Sequence, residues 1–429
     1  MTMLKRLDLR GTGDDLASRL PRPAPPGDGH LDAVRQILRE VRERGDAAVL
    51  EYTAELDGVE LASTLVPAAR LREALDGIDA ELREAMEVAR DSIADFHRTE
   101  LPAPVDYARD GLHVTGRRQP VDRAGLYVPG GRAAYPSTVL MTAVPARVAG
   151  VDELVLCVPP SRDTGEVADV TLAAAALAGV DEVHSVGGAQ AIAALAYGTE
   201  TIRMVDVVVG PGNVYVALAK REVAGVVGVP AAFAGPSEVV VVADETTPPE
   251  FAAVDVVVQA EHGPDGFAWL ISWSESTVDA VSAAVDLIVA GSPRREHIES
   301  TLVSNGYAVL VDGPQEAIAV ANSIAPEHLE LMNADPDGLV PEVRHAGAVF
   351  CGPWSPASIG DYLAGPSHVL PTAGTARFSG ALNVEDFTKP LHVISLDREA
   401  FERVGPYVER FAEAEGLDAH AQSIRARWS

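Results

Sequence analysis

An alternation of short apolar strands and helices over residues 124–236 constrains the fold of this chain more than any other feature of its sequence. Strand-like runs rich in Val and Leu alternate there with alanine-rich helical patterns, and glycines stand at the junctions. Strands that alternate with helices form right-handed crossovers and a parallel sheet. Residues 237–384 repeat the plan. The sequence therefore predicts an α/β protein with two Rossmann-like parallel-sheet units.

The segments outside these two units have a different character. A short arm and a proline-rich linker occupy residues 1–28, and a helical pattern dominates residues 29–123, which we expect to pack with the second α/β unit. Residues 385–429 contain one strand and two amphipathic helices. A tail domain of this size cannot bury a core alone, so we expect it to pack on another surface.

Composition excludes some classes of partner. The chain has 429 residues and a net charge of −29, which argues against nucleic acid and anionic membranes as partners. Its two cysteines, Cys157 and Cys351, lie in apolar strand-like runs, which indicates a reducing cytoplasm and a buried, unreactive Cys157. We find no signal-peptide pattern at the N-terminus and no apolar stretch long enough to span a bilayer. The expected location is the cytoplasm.

Three glycine turns follow strands of the first unit, at Pro129 to Gly131, Gly187 to Gln190 and Gly210 to Asn213. Ligands of open parallel sheets bind beyond the carboxyl ends of the strands, and helix N-termini attract phosphate. The G-x-G-x-x-G fingerprint and the Walker A loop are both absent. Spacing alone leaves two alternatives open, an atypical dinucleotide site and tight turns without a ligand.

Gln259 and His262 lie three residues apart before Gly263, at the end of an apolar helical run. That spacing puts both side chains on one helical face, where they could form half of a metal shell. The alternative is a helix C-terminus with a histidine near the negative end of its dipole.

Further candidate groups come later in the chain. Glu327 and His328 are adjacent before a predicted strand, and such a pair suits general base catalysis and water activation, although an exposed Glu-His pair on a loop is the commoner case. The long loop 355–382 contains Asp361 and His368, and loops of this length usually have a function. The tail contains Glu415 and His420, and pattern alone favours a surface position for His420.

In chain order, the stretches GLYVPGG, VGGAQAIAALAYGTE, VGPGNVYVALAKR, AGPSEVVVVAD, QAEHG, APEHLEL, SIGDYLAGPSHVLPT, ARFSGAL and AEGLDAH together resemble the histidinol dehydrogenases. The resemblance runs from about residue 110 to the C-terminus. It implies oxidation of L-histidinol to L-histidine through the aldehyde, with two NAD and one water, and one Zn²⁺ per subunit.

The resemblance also implies roles for individual residues. His328 would remove the hydroxyl proton and Glu327 would activate the water that hydrates the aldehyde. The implied zinc ligands are Gln259, His262, Asp361 and His420. The implied substrate contacts are Ser237, Gln259, His262, His328, Asp361, His368, Glu415 and His420. The implied NAD contacts are Tyr127, Gln190 and Asn213.

Finally, the resemblance implies a homodimer in which the tail supplies His420 and Glu415 to the partner's site. A tail folded back on its own chain is the alternative. Two other functions remain open at this point. One is a related zinc- and NAD-dependent dehydrogenase that oxidises another small alcohol, such as a sulfonated diol. The other is a non-redox zinc hydrolase or imidazole-binding module, which would leave the three glycine turns without a role.

Overall fold

The computed structural model describes residues 2–13, 16–21, 28–130, 133–230, 237–261 and 266–428. Most of the proline-rich linker, residues 22–27, lies outside this description. The strands are β1 (Lys5–Asp8), β2 (Val105–Arg109), β3 (Leu112–Pro120), β4 (Arg123–Tyr127), β5 (Glu153–Val158), β6 (Glu182–Ser185), β7 (Val207–Val209), β8 (Glu238–Val242), β9 (Phe267–Ser272), β10 (Gly306–Leu310), β11 (His328–Leu331), β12 (Ala348–Cys351) and β13 (Thr388–Leu396).

The helices are α1 (Leu16–Arg19), α2 (Leu31–Arg44), α3 (Asp46–Tyr52), α4 (Ala68–Gly77), α5 (Ala80–Thr99), α6 (Pro136–Ala149), α7 (Asp169–Leu177), α8 (Gly188–Tyr197), α9 (Val214–Val223), α10 (Pro249–Val258), α11 (Glu275–Gly291), α12 (Arg295–Asn305), α13 (Pro314–Ile324), α14 (Pro336–Leu339), α15 (Ala357–Tyr362), α16 (Arg398–Ala414) and α17 (Asp418–Arg425).

The first α/β unit has a parallel sheet in the order β6-β5-β4-β7, with α6 to α9 connecting and following its strands. Every residue of β4 and of β7 is buried. Strands covered on both faces are typical of parallel sheets, and their apolar residues do not alternate with polar ones. This unit confirms the fold predicted from the strand–helix alternation.

The second α/β unit has a six-stranded parallel sheet in the order β1-β10-β9-β8-β11-β12. The chain runs outward from β8 to β10 on one side and continues with β11 and β12 on the other, so the strand order reverses between β8 and β11. The edge strand β1 comes from the N-terminal arm and was not predicted. Its pairing with β10, Lys5 to Tyr307 through Asp8 to Leu310, attaches the arm to this sheet.

The N-terminal helices pack mainly on the first unit, so the prediction that residues 29–123 pack with the second unit is wrong. Val34 and Val41 of α2 belong to a core cluster with strand residues of the first sheet, and Ile93 of α5 packs in another that includes Leu126 of β4. An additional contact reaches the second unit, where the Ser92 hydroxyl donates to the backbone oxygen of Leu363 at 2.7 Å.

Residues 105–120 are not helical but form a hairpin. Asp110 and Gly111 both have positive φ, at 51° and 79°, as a two-residue Asp-Gly turn between antiparallel strands requires. Strand β13 of the tail then pairs antiparallel with β3, which gives a three-stranded sheet in the order β13-β3-β2. The tail domain therefore includes this hairpin, whereas the sequence pattern predicts it as part of the helical segment.

Helices α16 and α17 pack on each other beside this small sheet. Asp397 caps α16 by accepting from the Ala400 N–H at 2.7 Å, and the Arg403 guanidinium donates to the Asp110 carbonyl at 2.8 Å. Within the described residues, no helix has the length and apolar composition needed to cross a bilayer.

We predict that Ile93→Ala destabilises the protein by about 2–5 kcal/mol, because Ile93 is completely buried and its truncation leaves a cavity where α5 packs on the helices of the first unit. Val88→Ala on the same helix is the control. Val88 is 53% exposed, so its change should stay within about 0.5 kcal/mol. Urea unfolding of both variants measures the difference, and equal effects would contradict the packing of α5 described above.

Candidate active site

Glu327 and His328, which are adjacent in the sequence, meet Glu238 at the amino-terminal edge of the second sheet. Glu238 begins β8, and His328 begins β11 directly after Glu327. The Glu238 N–H donates to Glu327 Oε2 at 2.9 Å, and the Glu238 carbonyl lies 3.2 Å from His328 Nδ1. A carbonyl oxygen only accepts, so Nδ1 carries a proton in this contact. The adjacent pair predicted from the sequence is thus buried and oriented.

The carboxylates of Glu327 and Asp361 lie on opposite sides of the His328 ring. Glu327 Oε2 is 3.5 Å from Nδ1, and Asp361 Oδ1 is 3.6 Å from Nε2. Burial acts to lower the pKa of His328, but the two carboxylates outweigh it and raise that pKa well above its ordinary value. The Phe350 ring lies nearly parallel to the imidazole, with 6.0 Å between ring centroids. The arrangement holds one histidine where it can accept or release a proton.

His368 lies at the junction of the two α/β units. Its Nδ1 donates to the Asp361 carbonyl at 2.9 Å, and its Nε2 lies 3.1 Å from the hydroxyl of Thr138, on α6 of the first unit. Burial lowers the pKa of His368, although Asp361 opposes the shift. The ring is therefore held neutral, with the Thr138 hydroxyl donating to Nε2.

Gln259 lies in a short 3-10 turn, Gln259–Glu261, that follows α10. The residue is buried. Its backbone oxygen lies close to Gly266, and so does the backbone oxygen of Ser237. Both oxygens are within 3.6 Å of the position that a Cβ on Gly266 would take. Gln259 and Ser237 therefore lie at the same amino-terminal edge as Glu238. His262, the other predicted ligand of this stretch, lies outside the described residues.

The side chain of Tyr362 shows that this turn also lies close to Asp361. Burial raises the pKa of Tyr362, and the nearby charges of Asp361, Tyr135 and Glu261 raise it further. Tyr135 directly precedes α6, so the first unit contributes to this side of the site as well.

The tail residues do not join this cluster within one chain. Glu415 directly follows α16 and His420 lies on α17, and both are exposed. Among the residues described, no group of three or more His, Cys, Asp or Glu side chains is arranged to hold a metal ion. Within one chain, the described His and carboxylate side chains thus form no metal-binding group that includes His420.

The predicted NAD contacts lie at the carboxyl edge of the first sheet. The Tyr127 hydroxyl accepts from the Gly188 N–H at 3.1 Å, at the turn that begins α8. Gly188 has a φ of +63°, and a Cβ there would lie 2.5 Å from Gln190 Oε1. Gln190 is completely buried, yet among the described residues neither its amide oxygen nor its amide nitrogen has a hydrogen-bond partner. Such a group is costly unless a ligand or water satisfies it.

The turn after β7 approaches the same point. A Cβ on Gly210 would lie 2.0 Å from the Tyr127 carbonyl oxygen, so only glycine fits there. The Lys220 ammonium donates to the Gly210 carbonyl at 3.0 Å, and burial lowers the pKa of Lys220 to about 8. Asn213 caps α9 by accepting from the N–H groups of Tyr215 and Val216, both at 3.1 Å. Its side-chain oxygen is thus engaged, while its NH₂ group can still donate.

Sequence reasoning missed Glu238 and Thr138, which both contact the site. Glu238 Oε1 accepts from the Ala373 N–H at 3.2 Å, and Oε2 is buried without a partner. Burial, with the nearby charge of Glu327, raises the pKa of Glu238 to about 8. A carboxyl residue at the start of an otherwise apolar strand was the signal for Glu238. No comparable signal marks Thr138, because a single threonine in an apolar helix is ordinary.

Cys157 is completely buried in β5, and burial strongly raises the pKa of its thiol. A reactive cysteine requires an accessible, electropositive setting that favours the thiolate. The structure therefore agrees with the prediction that Cys157 is a core residue.

Two Rossmann-like units, one with glycine turns at its carboxyl edge and one with a buried Glu-His pair at its amino edge, define a two-unit α/β protein with a candidate site for proton transfer. A family model described as histidinol dehydrogenase matches residues 22–428. The chain belongs to the histidinol dehydrogenase family.

Individual relatives agree along most of the chain. It is 49% identical over 396 residues to a histidinol dehydrogenase from Parasynechococcus marenigrum, covering 92% of this chain and 90% of the relative. It is 47% identical over 398 residues to the histidinol dehydrogenase of Pseudomonas aeruginosa, with 92% and 90% covered. The crystal structure of histidinol dehydrogenase from Elizabethkingia anophelis superimposes with a TM-score of 0.94 at 31% identity, covering 100% of this chain and 98% of that one.

Proposed function

We propose that this protein is a zinc- and NAD-dependent histidinol dehydrogenase that oxidises L-histidinol to L-histidine through L-histidinal, in the last steps of histidine biosynthesis. The observation that supports this most directly is the buried contact of Glu327, His328 and Asp361 at one sheet edge, in a chain of this family. The overall reaction removes four electrons, reduces two NAD and consumes one water.

His328 is the proposed base in both oxidations. Its Nδ1–H is held by the Glu238 carbonyl, which leaves Nε2 to take the proton of the substrate hydroxyl. Glu327 is the proposed group that activates water for hydration of the aldehyde. Its Oε2 is fixed by the Glu238 N–H, so the carboxylate keeps one orientation between the two oxidations. The hydrated aldehyde then presents a new hydroxyl to the same base.

The zinc site is proposed from the chemistry of its donors. An amide oxygen, a carboxylate and two imidazoles form a set that suits Zn²⁺. Gln259 and Asp361 lie at one edge of the sheet, and we propose His262 and the His420 of a second copy as the remaining ligands. When bound, the zinc would orient the imidazole and amino group of the substrate. Ser237, His368 and Glu415 are the proposed further substrate contacts.

The NAD site is proposed at the carboxyl edge of the first sheet. Its strongest support is Gln190, whose buried amide lacks partners for both polar atoms. A ligand with donors and acceptors, such as a nucleotide, would satisfy that amide. Tyr127 and the NH₂ group of Asn213 lie at the adjoining turns. NAD, when bound, supplies the hydride acceptor.

The tail supports a homodimer. Val393 and Ile394 are successive residues of β13, so they face opposite sides of the small sheet, and they are 52% and 66% exposed. Tyr407 and Phe411 share one face of α16 and are each 72% exposed. Apolar surface of this kind marks an interaction site. We propose that a second copy covers it and receives Glu415 and His420. The two cysteines form no disulfide, which fits a cytoplasmic location.

We expect the purified protein to form two NADH per L-histidinol oxidised to histidine, because one alcohol carbon passes through two hydride transfers. Absorbance of NADH together with quantified histidine gives this ratio. Turnover of another small alcohol, without NADH from histidinol, would support the related dehydrogenase instead. Zinc binding without any NADH formation would favour the non-redox alternative.

We expect Glu327→Gln to slow the oxidation of histidinal to histidine more than that of histidinol to histidinal, because only the former consumes activated water. His328→Asn should slow both about 10²-fold or more, since both need a base. Supplying histidinal directly isolates the second half. Equal losses in the two halves for Glu327→Gln would remove the assigned role.

We expect His328→Asn and His420→Asn to be nearly inactive alone but to restore activity when their subunits exchange. Half of the mixed dimers are hybrids and one site of each hybrid is intact, so roughly a quarter of wild-type activity should return. Mixing His328→Asn with Glu327→Gln is the control, because both changes lie in the same part of the chain and no hybrid site is intact. If exchange is demonstrated and neither mixture recovers, His420 acts within its own chain.

A further inference from the structure

Two carboxyl groups, those of Asp255 and Glu330, meet in the interior of the second unit. Glu330 on β11 is completely buried, and Asp255 on α10 is 6% exposed. The two carboxyl groups are close enough to interact directly, and each shifts the pKa of the other. Ionised carboxylates only accept hydrogen bonds, so this contact requires a proton on one of them. Glu330 Oε2 is buried, and no N–H or hydroxyl group of the described residues donates to it. We refer to these two residues as the carboxyl pair.

The carboxyl pair connects three elements that contribute to the active site. Glu330 follows His328 by two residues on β11, which puts both side chains on one face of the sheet. Its Oε1 accepts from the Ala357 N–H, at the first residue of α15, at 3.0 Å, and α15 also contains Asp361. Asp255 lies four residues before Gln259, on the helix that leads into the turn of Gln259.

Few charged groups face the carboxyl pair. Burial raises the pKa of Glu330 well above its ordinary value and Asp255 adds to the shift, while the Ala357 N–H and His328 oppose it. Burial also raises the pKa of Asp255, and its hydrogen bond with Glu330 opposes that shift. In the described part of the chain, neither carboxyl group forms an ion pair with Lys or Arg. A proton on one of the two groups therefore prevents repulsion between two buried carboxylates.

We propose that Asp255 and Glu330 are positioning residues that share one proton, and that their hydrogen bond holds α10, β11 and α15 in the arrangement that places Gln259, His328 and Asp361. The part of this inference that concerns zinc rests on the proposed function. Neither residue touches the reacting atoms; they act through the elements that they join.

Loss of the shared proton should lower the stability of the folded protein. The pKa of each carboxyl is higher in the folded protein than in the unfolded chain, so the folded state binds the proton more tightly. The stabilising contribution is complete below the unfolded pKa values and is lost as the pH rises through the folded ones. We therefore expect the pair to weaken the fold on the alkaline side, through repulsion between two buried carboxylates.

Three variants and a control test the proposal. Glu330→Gln keeps both contacts without a titrating proton, because its NH₂ donates to Asp255 and its oxygen accepts from Ala357. Asp255→Asn does the same from the other side. Glu330→Leu has similar volume and removes both contacts. Glu342→Gln makes the same chemical change as Glu330→Gln at an exposed position in the same unit.

The first measurement is the melting temperature of the metal-free protein between about pH 6 and pH 10. Wild type and Glu342→Gln should lose stability as the pH rises, and Glu330→Gln and Asp255→Asn should lose less. An alkaline decline in both amide variants equal to that of wild type would show that the pair holds no shared proton. This measurement needs neither zinc nor substrate.

The second measurement is zinc affinity, by competition with a chromophoric chelator at neutral pH. Glu330→Gln should bind zinc within about twofold of wild type, and folded Glu330→Leu should bind it about 10–100-fold more weakly, as for other groups that orient metal ligands. Wild-type affinity in Glu330→Leu would overturn the positioning role. If Glu330→Leu does not fold, a tenfold loss in either amide variant would overturn it. A wild-type protein that binds no zinc contradicts the proposed function, and the melting series still decides whether the proton is shared.

Discussion

The pairing of β8 with β11 is the contact on which the active site depends. The two strands are parallel neighbours at the point where the strand order of the second sheet reverses, and their register aligns His328 with Val239. Glu238 consequently faces the Glu327–His328 pair. Its N–H donates to the Glu327 carboxylate, and its carbonyl contacts the His328 ring. A shift of one residue in this register would turn every side chain of the strand to the opposite face. Sheet geometry, rather than a flexible loop, therefore sets the orientation of both groups.

The two histidines of the site have opposite electrostatic environments although they share a neighbour. His328 lies between the carboxylates of Glu327 and Asp361, which raise its pKa. His368 contacts the backbone carbonyl of Asp361 and the Thr138 hydroxyl, and burial lowers its pKa. Groups whose pKa values are pushed apart in this way take different roles. His328 can exchange protons, and His368 serves as a neutral group of fixed tautomer.

How much the sequence could predict depended on whether the signal was local. Both parallel sheets were predictable, because each strand has its own apolar run and each helix its own periodicity. Strand β1 was not, since KRLD has no apolar run and becomes a strand only by pairing with β10, about 300 residues later. The apolar stripe of α2 shows that the helix packs, but not on which sheet. The Asp110-Gly111 turn was a readable hairpin signal that the neighbouring helical pattern obscured.

The same distinction applies to the site. Glu327, His328 and Asp361 were identifiable by residue type and by resemblance, but their contacts join segments far apart in the chain. The glycine turns of the first sheet lie at the carboxyl ends of their strands, where ligands of parallel sheets bind, whereas Glu327 and His328 lie at the amino edge of the second sheet. No sequence pattern shows which edge of one sheet will face which edge of another.

The carboxyl and imidazole groups of the candidate site lie at the edge of the second sheet, whereas the turns of the first sheet adjoin the buried Lys220, whose pKa burial lowers to about 8. The groups that approach the proposed NAD site, Tyr127, Gln190 and Asn213, carry no charge near neutral pH. The amino edge of the second sheet contributes the groups that can move protons, among them Glu238, whose burial raises its pKa to about 8. A hydride acceptor needs a site that excludes water, whereas hydration of an aldehyde needs water and a base. Under the proposed function, the use of two sheets meets both requirements, because the burial and charge of each edge are set by a different sheet.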